Sequence, residues 1–567
     1  MKQAKLLFVL FFCLSSLNSK AQFLDLSEYN ILYKQGKYQD AWIAIMMQTA
    51  ITQEEQKLKS ISLARVNYNL GQYKQCLDEL TKLQDPRYDA LLAMTYFKLD
   101  SFHQLIHLIN NDEHLESYND TIYLVLADAQ FKIGRFEEAI IKYRMIQVLD
   151  KNYSYTIFKK LGIAEYYFGM YFNAMENLQK ALAVLPSDYE IYSYLGMSYF
   201  NVHNIDKAIR TLRQGIDPKD PLSAECAVNL GLVYDEILEY DSSLWVLEDA
   251  LEIDSNRLDA YYFLGNIHYN RKQYEKSNFY YTKLLSLNPK FEYAYEPLAN
   301  SLFFSGLYDE AINKYRQSTY FNGNDPKSFN LIGICYLQKK DYITAFHYFE
   351  EAAKVSPDYG LAYFNLASLA FDQAWYDEAI SYCSYALKAN PEDGDIHFLL
   401  GRTYIQLGML DQAQSSLESC IKYNSLNANA YRYLGDICLM KNEKRKASFY
   451  YGFHTILDPS SFDGFYYLGL NQFNLSDFNE SKKSLSKALE IQNDSYSCKI
   501  ALAKTLIKLG ENAQALVLLE EAYQVESSAK LCLILSIAHK NLKNKNEARY
   551  FEELAYEIDP VLKNYIF

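Results

Sequence analysis

The stretch "YDEAISYCSYALKANP", residues 376–391, places apolar side chains at Tyr376, Ala379, Ile380, Cys383, Ala386 and Leu387. Spacings of three and four residues put them on one stripe of a helix, with polar residues around the rest. Close copies recur along the chain. "YITAFHYFEEAAKVSP" (342–357) and "YFNAMENLQKALAVLP" (171–186) have the same length, with an aromatic first, Ala fourth, Ala eleventh and Pro last. A second helical pattern stands before the stretch, "YFNLASLAFDQAW", and another, "FNLIGICYLQKKD", before the copy at Tyr342. The predicted unit is therefore a helix pair.

The Ala of "YDEA" anchors a column that runs Ala41, Cys76, Leu105, Ala139, Ala174, Ala208, Ser243, Ser277, Ala311, Ala345, Ala379, Ala413, Ala447, Ser481, Ala515, Ala548. Every step from Ser243 to Ala515 is 34 residues, and the one long departure is the 29-residue step from Cys76 to Leu105. Twelve residues before each anchor lies a second column, filled by Gly, Ala or Ser except at Tyr29. Two helices that cross closely leave no room for a side chain at the crossing, so small residues on both are expected there. Pro186, Pro289, Pro357, Pro391, Pro459 and Pro560 end second helices. Gly36, Gly71, Gly134, Gly169, Gly306, Gly408 and Gly510 fall between the helices of their pairs, where a left-handed residue closes the first helix.

This combination of a 34-residue period, paired small columns and a closing Pro resembles the tetratricopeptide repeat (TPR), with Tyr or Phe here in place of the family's Trp. The likeness spans about Leu26 to Pro560. It implies an all-α fold, a right-handed α-solenoid superhelix of about sixteen helix-turn-helix repeats in which each pair touches its neighbours. The expected organisation is a signal peptide at 1–21, degenerate repeats at 22–118, a regular superhelix at 119–560 and a tail at 561–567. The short step through "LQDPRYDALL" predicts a bend or subdomain boundary near Gln84 to Arg87. The last pair is expected to expose apolar surface around Leu554, Ile558 and Phe567, as a docking surface or beneath a folded-back tail.

The N-terminus changes the picture of where this array works. "MKQAKLLFVLFFCLSSLNSKAQ" has Lys2 and Lys5, an apolar run from Leu6 to Leu17, and Ser19 and Ala21 before the expected cut. That is the layout of a secretory signal peptide, and the run is short of the ~20 residues a spanning helix needs. A lipoprotein anchored at Cys13 is disfavoured by Phe11 and Phe12. The expected location is the periplasm, the cell envelope or outside the cell, with no membrane-spanning segment. Removing residues 1–21 takes three Lys and no acid, leaving 53 basic against 70 acidic residues, a net charge near −17. A surface so acidic argues against nucleic acid and, in general, against anionic lipid as partners. The eight remaining Cys follow no disulfide or zinc spacing and read as buried free thiols.

Motifs of catalysis are missing from a chain filled by repeats: GxxxxGK[ST], GxGxxG after a strand, HExxH and GxSxG do not occur. Acid pairs such as Asp377-Glu378 stand in first helical turns, where they favour the helix dipole. The sequence therefore predicts no enzyme and no cofactor. One metal candidate is "HQLIHLINNDEH", in which His103 and His107 share a helical face ahead of Asp112, Glu113 and His114; solvated surface histidine is the ordinary alternative.

A partner surface is expected on the inner face, built mainly by first helices. Positions around the small column supply Tyr262, Asn266, Glu296, Asn300, Asn330, Arg402, Arg432 and Asp436, a mixed set able to hydrogen-bond an extended peptide or hold a partner helix. A further stripe, Tyr166, Phe200, Tyr269, Phe303, Phe371 and Phe473, is expected to pack between helices. The Lys-Asn-Arg clamp that some TPR proteins use for a terminal carboxylate is not matched: Asn266 and Asn300 fill one position, but Pro297 and Leu331 occupy the next. The reading is a non-enzymatic scaffold for a protein or peptide. A recruiting array for a separate enzyme and an envelope assembly component are the alternatives.

Overall fold

The structure is a computed structural model that describes residues 24–50, 52–83, 85–110, 120–149, 154–323 and 325–561. The signal-peptide segment, Gln84, the Asp112-Glu113-His114 cluster and Phe567 lie outside the described residues. Among those described, regular structure is wholly helical: thirty-two α-helices in sixteen consecutive pairs, with short 3-10 turns at Pro86–Tyr88, Pro221–Ser223 and Glu292–Ala294. A regular pair is Gly394–Gln406 followed by Leu410–Tyr423. The pairs form two compact units, one ending at Asn288 and the other beginning at Pro289. Within each, a pair packs on the pair before and the pair after. The short step from Cys76 to Leu105 is absorbed inside the first unit by two short helices, Asp89–Lys98 and Phe102–Asn110, behind the turn at Pro86–Tyr88.

The small columns are the buried seam of each pair. All sixteen anchors and all sixteen of their partners are buried, including the large exceptions Tyr29 and Leu105, which sit in short-helix pairs. What forces Gly at eight of the seam positions is the residue four places after the anchor, which lies across the glycine of its own pair. A Cβ on Gly401 would stand 2.7 Å from Leu417 Cγ, one on Gly196 2.5 Å from Leu212 Cγ, and one on Gly333 2.5 Å from a Phe349 ring carbon. Real Cβ atoms do not approach so closely. Where the anchor is Ser rather than Ala, its hydroxyl is satisfied without disturbing the seam: Ser243, Ser277 and Ser481 donate to the carbonyls of Gly231, Gly265 and Gly469 at 2.7 to 2.9 Å.

The turn inside each pair is the same sixteen times. A residue with positive φ follows the first helix, and the next N–H reaches back five residues, as Met409 does to Tyr404 O and Glu443 to Cys438 O. This closes the helix end by satisfying carbonyls that would otherwise be orphaned. The seven glycines predicted for this site are joined by nine residues with a side chain, among them Leu238, Lys340 and Asn442. The geometry is imposed by the pair, and glycine makes it easier but is not required. Aromatic rings brace the turn: Phe303 meets Tyr308, Phe371 meets Tyr376 and Phe473 meets Phe478 with centroids 5.4 to 5.8 Å apart. That stripe packs between helices, as expected from its spacing.

The eight described cysteines are buried and unpaired. Burial pushes the thiols of Cys226, Cys335, Cys383 and Cys420 up to about 12, so they behave as small apolar side chains. At the C-terminal end Leu554 is partly buried, packed on the cluster of Ala529, Cys532, Leu533 and Ala555, which corrects its reading as exposed surface; Ile558 does stand exposed. No helix among the described residues is long and apolar enough to cross a membrane.

The seam gives a quantitative test. Gly401→Ala should destabilise by about 1–3 kcal/mol through overpacking against Leu417, and Leu417→Ala by about 2–5 kcal/mol through lost burial. The double variant should lose less than the sum. Additive losses in urea unfolding would place the contact elsewhere.

Candidate functional site

The residues expected on the partner face are largely engaged with one another. In the first unit, the Asn266 side-chain carbonyl accepts the hydroxyl of Tyr281, and the Tyr262 ring stands edge-on to Tyr281 with centroids 6.1 Å apart. In the second unit, Asn300 accepts from Tyr315 at 2.6 Å and Asp436 from Tyr451 at 2.6 Å. Glu296 forms an ion pair with Lys327. Arg402 lies over the Phe371 ring at 4.4 Å, and Arg432 over Tyr433 at 4.3 Å with Asp436 3.4 Å away. Asn330 corrects the expectation of an exposed position. It is 1% exposed, and its carbonyl oxygen accepts from Asn365 of the next first helix at 2.7 Å.

A rule underlies the tyrosine bonds. Whenever the residue crossing the seam is Tyr, as at Tyr143, Tyr281, Tyr315 and Tyr451, the residue after the small column is Asp or Asn: Asp128, Asn266, Asn300, Asp436. A buried hydroxyl needs an acceptor, and this neighbour supplies it. Pairs with an apolar crossing residue carry other side chains there, such as Leu232 opposite Leu247, except in the first pair, where Asn30 follows Tyr29 opposite Ile45. The asparagines that seemed to match a clamp position thus accept tyrosine hydroxyls.

A groove of about 800 Å³ lies on first helices of the first unit, over Asp120–Lys132, the helix 154–168 and Tyr189–Asn201. Its wall is a run of rings: Phe136 stacks on Tyr167 at 5.3 Å, Tyr167 meets Phe131 and Tyr194 at 5.7 Å, and the Tyr167 and Tyr194 hydroxyls are 3.0 Å apart. Its floor carries paired charge. Lys160 binds Asp128, while Lys159 bridges Asp188 and Glu190 at 2.6 Å. Burial alone would lower Lys159, but those two carboxylates hold it above its ordinary value. Tyr155 donates to Asp188, and burial together with that carboxylate pushes its phenol up to about 12. Lys132 stands exposed at the rim. Apolar rings and fixed hydrogen-bonding groups together can grip side chains and backbone of an extended chain.

The groove's charged residues occupy the same repeat positions as the residues expected on the partner face, three pairs earlier. Lys159 precedes its small residue, Gly162, by three places and Asp128 follows Ala127 by one, the same positions chosen between Tyr262 and Asp436. His103 and His107 are both exposed on Phe102–Asn110, and among the described residues no group of three or more His, Cys, Asp or Glu is arranged to hold a metal.

Family models for the tetratricopeptide repeat match residues 258–291, 336–394 and 370–434. These segments are tetratricopeptide repeats. The TPR matches fall on the helix pairs with the regular 34-residue step. Among curated proteins, the chain is 24% identical over 262 residues to anaphase-promoting complex subunit 3 of Schizosaccharomyces pombe, covering 45% of this chain and 37% of that one. It is 23% identical over 242 residues to BBSome complex member BBS4 of Bos taurus, covering 43% and 46%. The chain thus spans less than half the length of both. Among solved structures, the APC/C hetero-tetramer Cut9-Hcn1 matches at 16% identity and a TM-score of 0.32, over 90% of this chain and 98% of that one.

Two outcomes follow from buried polar groups in the TPR pairs. Tyr281→Phe should cost about 0.5–1.5 kcal/mol by leaving Asn266 without its donor, whereas Asn266→Leu with Tyr281→Leu, the combination at Leu232 and Leu247, should recover much of that loss in thermal unfolding. His268 is buried, stacked on Tyr280 at 5.3 Å and hydrogen-bonded through Nδ1 to Gln273 at 2.7 Å. Burial holds it below its ordinary 6.5. The unfolded chain therefore takes the proton first, so stability is full above about pH 6.5 and falls as the pH drops below it. His268→Gln should flatten the dependence of Tm on pH in that window, and an unchanged slope would assign it to other groups.

Proposed function

We propose that this chain is a non-enzymatic scaffold that holds a protein or peptide partner along its first-helix face. We further propose that it works after export, with residues 1–21 removed, in the periplasm or cell envelope. The observation that carries the reading is the groove over Asp120–Lys132, 154–168 and Tyr189–Asn201, where a wall of rings faces carboxylates and lysines already fixed by one another. Pre-organised side chains lose little freedom on binding, so contact there is gained at low entropic cost. The TPR fold supports it, because repeats stacked side by side present one long continuous face for another chain. The two curated relatives, named for the anaphase-promoting complex and the BBSome complex, favour a component of an assembly over a solitary protein.

A photo-crosslinking residue at Thr156 in the groove should capture a discrete protein adduct in the producing cells, and the same residue at exposed Glu176 on a second helix should not. Equal adducts from both positions, or none from Thr156, would remove the groove as the partner site. N-terminal sequencing of the protein from those cells should begin at Gln22, and a chain that retains Met1 to Ala21 would refute export by cleavage.

A further inference from the structure

The repeat provides its own internal standard, and one second helix departs from it in three ways at once. Lys444–Leu457 opens with Lys444, Arg445 and Lys446 and has no acid in its first turn, whereas Leu410–Tyr423 and Phe478–Ile491 on either side carry Asp411 and Glu480 there. Bases at that end oppose the helix dipole. Two, six and nine places after the anchor Ala447, on the side turned away from the seam, stand Phe449, Phe453 and Ile456; the flanking helices have Ser415, Ser419 and Lys422, and Lys483, Lys487 and Glu490. Those three apolar side chains are 59%, 39% and 70% exposed. On the same side lies Gly452, where a Cβ would meet nothing within 4 Å, so no packing contact requires a residue that weakens a helix interior.

The charges are available as well. Lys441 pairs with Asp411 and Lys446 with Glu443, while Lys444 and Arg445 stand exposed with no carboxylate partner among the described residues. In a chain of net charge −14 this is a local reversal of sign. Phe449 and Phe453 form a ridge, their centroids 4.9 Å apart, with Phe453 stacked on Tyr431 at 5.5 Å. Phe453 gains that stack inside the fold, but the exposed Phe449 and Ile456, the open Gly452 and the basic first turn together break local rules on one side of a single helix, which marks a surface shaped by something outside the fold.

We propose that the helix Lys444–Leu457 docks the protein on an anionic lipid surface, Phe449, Phe453 and Ile456 entering the interface while Lys444 and Arg445 meet headgroup phosphates. Basic residues beside exposed aromatic and aliphatic side chains, in a chain that is acidic overall, are what a reversible contact with an anionic lipid interface needs. The acidity that argues against lipid binding in general confines it to this patch. The assignment is independent of the first-helix groove, since it uses the opposite helix of a pair in the other unit.

The test is flotation of the full chain with vesicles of phosphatidylcholine containing phosphatidylglycerol, against vesicles of phosphatidylcholine alone. Wild type should float with the anionic vesicles, and high salt should release it. Arg445→Gln should weaken partitioning about fivefold, and Phe449→Ser with Phe453→Ser should abolish it while circular dichroism shows the folded chain. Phe449→Trp should show a blue shift in emission on the anionic vesicles only. Flotation that persists in the serine variant, or no flotation of folded wild type, overturns the proposal. So does a mass in sedimentation that rises with concentration without lipid and drops in the serine variant, because the ridge would then join two copies.

Discussion

The close crossing of two helices within each pair is the constraint on which everything else rests. At the seam a residue such as Leu417, Phe349 or Tyr451 lies directly over a glycine backbone, less than 3 Å from where a Cβ would be. The first helix then offers Gly, Ala or Ser and the second Ala or Ser beside it, except in the short-helix pairs at Tyr29 and Leu105 and at Cys76. With that contact fixed, the left-handed turn between the helices is the way for the chain to reverse, and it recurs whether the residue is Gly408 or Leu238. Local backbone preference is overridden by packing because a single strained residue costs less than an open seam.

Polar groups enter this core under strict terms. Ser243 and Ser481 return their hydroxyls to seam carbonyls, and four crossing tyrosines each find an Asp or Asn one place beyond the small column. Each of these seam polar groups is matched by a partner, as the cost of an unsatisfied buried group requires. The side chains that look functional from spacing, Asn266, Asn300 and Asp436, are half-buried members of these pairs. Rings and charges that the seam does not use gather elsewhere, above all in the groove from Asp128 to Tyr194.

Function in such an array is distributed. The groove and the ridge at Lys444–Leu457 belong to different units and different helices, and neither depends on a lone reactive group. The fold supplies a repeated frame, and departures from the frame carry information: lysines at 159 and 160 among rings, and three successive bases opening Lys444–Leu457, whose flanking second helices carry an acid there.

The sequence alone determined the helix pair, its 34-residue step and its small columns, because a periodic steric demand writes itself into a periodic sequence. It also showed that Tyr376, Ala379 and Cys383 are parts of that frame. Tertiary structure decided what periodicity cannot express. Asn330 is covered by the first helix of the next pair, Leu554 packs on its neighbours, and the groove forms at Asp128 to Tyr194, because burial depends on side chains brought together from successive pairs. Even the link between Tyr281 and Asn266 is present in the letters, fifteen residues apart, yet only the crossing of the helices says that one hydroxyl needs that one carbonyl.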